Sequence, residues 1–221
     1  MKHVVTIRKK ALAASDEHAQ RLRERFAESA TLVANLISSP GSGKTTLLEA
    51  TARRLGDRLR LAVIEGDVAT ENDADRIRAL GVPAHQILTG GACHLDARQI
   101  DGALEAADLL PADILVIENV GNLICPTTYD LGEDFKVALL SVTEGDDKPV
   151  KYPAIFSRAD VTVVTKADLL PHVPFDLDAV KSSVASLNPA GTLIVVSSTT
   201  GDGIEDWCRL LTDRLEAKRR S

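Results

Sequence analysis

The feature that most constrains the fold is an apolar run, "TLVANLIS", that passes directly into the glycine-rich stretch "SPGSGKTTLL". A strand that leads through such a stretch into a helix is typical of a phosphate-binding loop with the pattern G-x-x-x-x-G-K-[ST]. Gly43, Lys44 and Thr45 match this pattern, and Ser38 stands in place of its first glycine. Gly41 and Gly43 still allow backbone N–H groups to surround a diphosphate, and the following helix adds the positive end of its dipole. The stretch therefore predicts a nucleotide site and disfavours the alternative, an ordinary turn between a strand and a helix.

Phosphate chemistry assigns roles to the residues of this loop. Lys44 is expected to reach the β- and γ-phosphates, and the Thr45 hydroxyl is expected to bind Mg²⁺. The expected nucleotide contacts of the segment are Gly41, Ser42, Gly43, Lys44, Thr45 and Thr46.

Seven apolar, β-rich runs alternate with amphipathic segments along the 221 residues. Near-continuous apolar strands of this kind occur in parallel sheets that are covered on both faces. We therefore expect an α/β fold of the P-loop NTPase class, with a doubly wound, mainly parallel sheet of about seven strands and helices on both faces. In such sheets, ligands bind at the carboxyl ends of the strands.

The chain is expected to divide into two parts. Residues 1–30 are predicted to form an N-terminal helical extension without a Cys/His-rich metal tract, since they contain two histidines and no cysteine. Residues 31–221 are predicted to form a single domain that contains the phosphate loop, because 44% hydrophobic residues suffice for a sizeable core.

Composition excludes several classes of partner and compartment. A net charge of -6 argues against nucleic acid, which requires a basic face. No apolar run is long enough to cross a membrane, and the N-terminus lacks the apolar segment of a secretory signal. The three cysteines are scattered along the chain, which disfavours a disulfide framework. We expect a cytoplasmic, reduced protein.

Two acidic residues lie at the carboxyl ends of predicted strands. Glu118 ends "DILVIE" at the position of a Walker B acid, and Gly121 follows it where a turn that senses the γ-phosphate needs a close N–H group. Asp67 ends "LAVIEGD" and is expected to bind the metal or to orient the attacking water; capping of the next helix is the alternative. Lys44, Asp67, Glu118 and Gly121 are thus the candidate catalytic residues, and Thr45, Asp67 and Glu118 are the candidate Mg²⁺ site.

The segment "VTVVTKADLL" resembles the guanine motif N-K-x-D, with Thr165 in place of asparagine. Asp168 can accept hydrogen bonds from guanine N1–H and N2–H, and the alkyl chain of Lys166 can cover the base. In "SSTTGDG", the backbone N–H groups of Ser198 and Thr199 are expected to contact the base oxygen. GTP is therefore favoured over ATP, so residues 31–221 are predicted to be a single P-loop GTPase domain. The alternative is that Lys166 and Asp168 merely begin a helix.

The remaining signal is a set of thiol and imidazole side chains at predicted strand ends. Cys93 and His94 are expected to open a helix, where the helix N-terminus favours a thiolate, and Cys125 follows the Gly121 turn. Such ligands suit Zn²⁺ or Ni²⁺. The alternative is that both cysteines are small buried residues and that His94 caps the helix. Cys208, in an amphipathic C-terminal helix, is expected in the core.

Together, "SSPGSGKTTLL", "GDVATENDADRI", "GGACHLDA", "IENVGNLICP", "YDLGEDFKVALLSVTEGDDKPVKYP" and "TKADLL" resemble the HypB family, the hydrogenase nickel-incorporation GTPases of the nickel-chaperone branch. The resemblance implies GTP hydrolysis to GDP coupled to Ni²⁺ delivery into the large subunit of a [NiFe] hydrogenase. It also implies a Ni²⁺ or Zn²⁺ site at Cys93, His94 and Cys125. It further implies a homodimer favoured by GTP, a HypA-like nickel/zinc accessory protein, and Lys148 near the partner's nucleotide.

Turnover is expected to be slow without partners, because the sequence contains no clear arginine finger. Three alternative functions stay open at this point. The chain can serve a urease or another metalloenzyme, store metal beside a vestigial nucleotide site, or act as an ATP-dependent small-molecule kinase.

Overall fold

The computed structural model describes residues 17–67 and 72–220. Over these residues, seven strands form one sheet in the order β3-β2-β4-β1-β5-β6-β7, and every neighbouring pair is parallel. The strands are β1 (Leu32–Ser38), β2 (Leu61–Asp67), β3 (Ala84–Leu88), β4 (Ile114–Glu118), β5 (Phe135–Ser141), β6 (Val161–Thr165) and β7 (Thr192–Val195). The predicted fold class is confirmed.

Helices cover both faces of this sheet. They are α1 (17–28), α2 (Lys44–Leu55), α3 (Asn72–Arg78), α4 (Ala97–Ala106), α5 (Lys148–Lys151), α6 (Pro153–Arg158), α7 (Leu177–Leu187) and α8 (Ile204–Arg220). One face packs against α2, α3 and α8, and the other packs against α1, α4, α6 and α7. Because both faces are covered, β1 is buried at every position, which explains why its sequence is almost continuously apolar.

The leading helix α1 packs on the sheet through Ala19, Leu22 and Phe26, which are fully buried. Residues 1–16 lie outside the described part of the chain, so the domain boundary at residue 30 stays a prediction. None of the helices within 17–67 and 72–220 is long and apolar enough to cross a membrane.

The strand order positions the candidate site. β1 lies between β4 and β5, although these strands are distant in sequence, and the chain leaves β1 and β5 towards opposite faces. A crevice opens at the carboxyl ends of such strands. The phosphate loop and both cysteine loops follow strands at these carboxyl ends, and Glu118 is the last residue of β4.

Candidate functional site

The phosphate loop connects β1 to α2 in the predicted way. Gly41 and Gly43 have φ angles of +74° and +92°, which glycine adopts without the steric cost of a side chain. Lys44, the first residue of α2, is only 8% exposed, and its Nζ donates to Ser38 Oγ at 3.1 Å. The Ser42 hydroxyl also donates to Ser38 Oγ. Ser38, the departure from the phosphate-loop pattern, therefore supplies a hydroxyl that holds the Lys44 side chain within the loop.

A buried acidic cluster lies beside the first turn of α2. The Thr45 hydroxyl donates to Glu118 Oε1 at 3.1 Å, and Lys44 Nζ lies 3.9 Å from the same oxygen. Carboxylate oxygens of Glu65, Asp73 and Glu118 all lie within 4.8 Å of one another. The β2–β4 register places Glu65 directly opposite Glu118.

Two carboxyl groups of this cluster have raised pKa values, which a nearby cation would lower. Burial, reinforced by the nearby Glu118 and Asp73, raises the pKa of Glu65 to about 9. Burial also raises the pKa of Glu118 above its ordinary value, while Lys44 opposes that shift. Glu65 Oε1 and Glu118 Oε2 are buried and have no hydrogen-bond partner among the described residues. Unpartnered carboxylate oxygens beside a threonine hydroxyl fit Mg²⁺, which prefers oxygen ligands.

Glu65 and Asp73 were not among the residues predicted from the sequence. A signal for Glu65 exists, because it lies two residues before Asp67 and faces the same side of β2. Asp67 ends β2 and its carbonyl accepts the Thr89 N–H at 2.9 Å, but its carboxylate is not part of the cluster. The metal and water-orienting roles of Asp67 stay predictions.

A cavity of about 190 Å³ lies where the base is expected. Its lining residues are Gly43, Thr46, Thr165, Lys166, Asp168, Leu169, Ser198 and Thr199. Thr165 Oγ1 donates to the Ser42 carbonyl at 2.6 Å, and Lys166 Nζ donates to the Gly41 carbonyl at 2.7 Å. The departure at Thr165 thus ties the base cavity to the phosphate loop. Asp168 accepts the Ser197 hydroxyl at 2.6 Å, which orients its carboxylate.

The structure brings together the three predicted soft ligands. Potential ligand atoms of Cys93, His94 and Cys125 lie within 4.8 Å of one another, with Cys93 Sγ 3.6 Å from His94 Nδ1. The His94 ring stacks on Tyr129 with centroids 3.8 Å apart. Asn122 Nδ2 donates to the Cys93 carbonyl at 3.2 Å. The three groups form an open site suited to a borderline or soft metal ion.

The pKa shifts of Cys93 and His94 favour a protonated Cys93 thiol and a neutral His94 imidazole. A hydrogen bond with the Cys125 thiol raises the pKa of Cys93, and burial contributes a smaller effect in the same direction. Burial lowers the pKa of His94, against the opposing effect of Asp96. A bound metal must therefore displace a thiol proton, whereas the imidazole is already in its ligand form.

The expectation that Cys93 and His94 open a helix is wrong. Helix α4 begins at Ala97. Asp96 caps it because its side chain accepts the Gln99 N–H at 2.9 Å, and the Gln99 side chain in turn accepts the Asp96 N–H at 2.9 Å. This reciprocal capping box fixes the helix start after the two ligands. The thiolate stabilisation expected at a helix N-terminus is therefore absent from Cys93.

The alternative for the same residues, that the two cysteines are buried in the core and His94 caps the helix, is also wrong. Cys93 is exposed and Cys125 is half-buried, so they are not core residues, and Asp96 rather than His94 is the cap. Cys208 is 4% exposed in α8, as predicted, and burial raises its pKa to about 11.

The loop after β4 physically connects the two halves of the site. A Cβ atom at Gly121 would lie 2.9 Å from Pro40 Cγ, so only glycine allows this turn to pack against the phosphate loop. Cys125 follows four residues later. Lys148 Nζ donates to Ser39 Oγ at 3.2 Å, which places it beside the phosphate loop of its own chain. Its proposed position near a partner's nucleotide stays a prediction.

Known proteins share both the sequence and the fold. Residues 32–195 match the family model described as CobW/HypB/UreG, nucleotide-binding domain. The chain is 51% identical over 204 residues to the hydrogenase maturation factor HypB of Azotobacter vinelandii, an alignment that covers 92% of this chain and 67% of that protein. It is 43% identical over 221 residues to the hydrogenase/urease maturation factor HypB of Helicobacter pylori (strain ATCC 700392 / 26695), covering 97% and 88% of the two chains.

A solved structure agrees with these relatives. The crystal structure of HypB from Helicobacter pylori in complex with nickel superposes with a TM-score of 0.88 and 42% identity, covering 92% of this chain and 96% of that one. The residues that match the family model include the phosphate loop and both cysteine loops, and the chain belongs to the HypB family of the CobW/HypB/UreG nucleotide-binding proteins.

Proposed function

We propose that this protein is a GTP-hydrolysing metallochaperone that couples its nucleotide state to the binding of Ni²⁺, and also Zn²⁺, for insertion into a [NiFe] hydrogenase. The observation that carries the proposal is the segment after β4. Its Gly121 packs on Pro40 of the phosphate loop, and its Cys125 completes the cluster with Cys93 and His94. The names of the relatives and the nickel complex of one of them support the same function.

The positions of the side chains support the proposed nucleotide roles. Lys44 neutralises the β- and γ-phosphates, and the cavity at Lys166 and Asp168 receives guanine. Thr45 and Glu118 are placed to hold Mg²⁺, which supplies neutralisation of the phosphate charge when bound. Turnover is slow in the isolated chain and needs partners.

Release of the metal follows from the same connection. Loss of the γ-phosphate removes a contact of the Gly121 turn, so Cys125 moves relative to Cys93 and His94, and the shared site weakens. A tenfold difference in metal affinity between GTP and GDP states corresponds to about 1.4 kcal/mol. The coupling is reciprocal, so bound metal must change the relative affinities for GTP and GDP by the same factor.

The ligand set explains why partners are needed. Three ligands leave a tetrahedral ion with one position free. A second copy in a homodimer favoured by GTP, a HypA-like accessory protein or the hydrogenase large subunit can each supply or take over ligands there. In that homodimer we expect Lys148 to lie near the partner's nucleotide. The proposed site of action is the cytoplasm.

The test is titration of Ni²⁺ and Zn²⁺ into protein bound to GDP or to a non-hydrolysable GTP analogue, with Cys93→Ala as the control variant. Nickel affinity is expected to depend on the nucleotide and to be lost in the variant. Equal affinities in the two nucleotide states would refute the coupling, and absence of GTP turnover would favour a storage protein.

A second candidate is maturation of a urease, because one group of relatives carries the name hydrogenase/urease maturation factor. Transfer of ⁶³Ni from the loaded, GTP-bound protein to metal-free hydrogenase large subunit or to metal-free urease distinguishes the two.

A further inference from the structure

We infer that Asn119 is a positioning residue that, through Leu95, transmits the state of the nucleotide site to Cys93 and His94. This inference rests on the proposed function, since it names the residues through which that coupling passes. It differs from movement of Cys125 alone, because it predicts that the ligands on the other loop respond as well.

Leu95 is the first point of attachment. It directly follows His94, is fully buried, and its N–H donates to Asn119 Oδ1 at 3.1 Å. Its side chain fills the space above Gly66, where an added Cβ would lie only 2.8–2.9 Å from three Leu95 carbons. Gly66 lies between Glu65 and Asp67 at the end of β2. Leu95, the neighbour of His94, therefore contacts the end of β2 through its side chain and the residue after β4 through its N–H group.

Asn119 is held in one orientation. It directly follows Glu118 and is 1% exposed. Its Oδ1 accepts N–H groups from Leu95 and Val120, and its Nδ2 donates to Asn35 Oδ1 at 3.2 Å. Asn35, fully buried on β1, in turn donates to Glu133 Oε1 at 3.1 Å. Because every polar atom of the Asn119 amide is paired, a shift of its backbone cannot be absorbed by rotation of the amide without breaking a buried hydrogen bond.

The same segment contacts the cysteine loop a second time. Asn122 Nδ2 donates to the Cys93 carbonyl, so residues 119 and 122 hold the backbone on both sides of His94. Between them, Gly121 packs on Pro40 of the phosphate loop. A displacement of this turn therefore reaches Cys93 and His94 through these two hydrogen bonds. It reaches Cys125 through the backbone that follows the turn.

A purely structural role would have different consequences. An amide that only satisfies buried groups contributes to the free energy of unfolding but not to the difference in metal affinity between two nucleotide states. Asn188 provides a control away from this connection. It is half-buried at the C-terminal end of α7, and its Nδ2 donates to the Ala159 carbonyl, just after α6, at 2.9 Å. Only a residue on the connection is expected to change the nucleotide dependence of nickel binding.

The experiment measures the dissociation constant of Ni²⁺ with GDP and with a non-hydrolysable GTP analogue in the full chain, for the wild type, Asn119→Ala, Asn122→Ala and Asn188→Ala. The quantity compared is the dissociation constant with GDP divided by the dissociation constant with the GTP analogue. In Asn119→Ala we expect the ratio to fall to about one, while each nucleotide still binds the metal-free protein. In Asn122→Ala we expect a smaller decrease, and in Asn188→Ala the wild-type ratio.

The outcomes separate this inference from the proposed function. A wild-type ratio of one refutes the proposed coupling itself. A wild-type ratio that differs from one and is retained in folded Asn119→Ala overturns the role of Asn119 alone. If Asn119→Ala does not fold, Asn122→Ala decides, because an unchanged ratio there excludes transmission through this segment.

Discussion

The phosphate loop and the cysteine–histidine loop lie at the same edge of the sheet but are held in opposite ways. Lys44 and Thr45 are almost inaccessible, and their side chains already bond to Ser38 and Glu118. Cys93 is exposed and follows two glycines with positive φ that face open space. The nucleotide side is thus preorganised, whereas the metal side can adjust, as is expected of elements that respond to a ligand.

Removal of Lys44 is expected to have the largest effect on the preorganised side. Lys44→Ala should abolish GTP turnover and weaken GTP binding by about 10- to 100-fold, because hydrogen bonds to charged groups contribute about 1.5–3 kcal/mol. Nickel binding to the nucleotide-free protein should be unchanged, which isothermal titration calorimetry can measure. Loss of nickel binding in this variant would show that the metal loop depends on the phosphate loop even without nucleotide.

Removal of a metal ligand tests the opposite side. Cys93→Ala should weaken Ni²⁺ binding by roughly 100-fold or more, since loss of even an outer-shell partner typically costs 10–100-fold. Cys208→Ala is the matched thiol control, because Cys208 lies buried in α8. It should lower the free energy of unfolding without changing the nickel dissociation constant. Equal losses of nickel affinity in both variants would contradict the assigned site.

The buried acid pair offers a test of pH dependence. The pKa of Glu65 is raised to about 9 in the folded protein, so between its unfolded value and about 9 the folded state holds a proton that the unfolded state has lost. Stability from this group therefore falls as pH rises, by at most about 1.4 kcal/mol per pH unit. Glu65→Gln should remove this loss.

Urea unfolding of wild type and Glu65→Gln in EDTA, at about pH 6 and about pH 8.5, measures the difference. The variant's gain in free energy of unfolding should be larger at the higher pH. Groups that do not interact with Glu65 cancel in this comparison, whereas Glu118, which interacts with it, contributes to the measured difference. The same gain at both pH values would mean that Glu65 is not the group that loses its proton.

The two sides also differ in how far the sequence could predict them. The seven strands and the phosphate loop follow local patterns, and all of them are confirmed. Ser38 and Thr165 depart from the usual motifs, and only the structure shows that their hydroxyls bond within the phosphate loop. Short motifs record which residue is present but not which partner it reaches.

The errors have distinct physical causes. Glu65 was missed because its importance depends on β2 lying beside β4, a pairing of strands that are far apart in sequence. Helix α4 begins three residues after His94 because Asp96 and Gln99 form a capping box, which the sequence "DARQ" already indicates. The first error needed tertiary structure to correct, and the second did not.

The smallest expected effect concerns how the adjustable side holds its imidazole. Tyr129 stacks on His94, and the Tyr129 carbonyl accepts Lys136 Nζ at 3.0 Å, which holds the backbone that carries the ring. Tyr129→Leu should remove a stacking contribution of about 0.5–1.5 kcal/mol and weaken Ni²⁺ binding by roughly 2- to 12-fold. Tyr129→Phe keeps the ring and should bind nickel like the wild type. If leucine is as good as phenylalanine here, the imidazole is oriented by the backbone on either side of it, and the contacts of Leu95 and Asn122 are sufficient to hold the ligand in place.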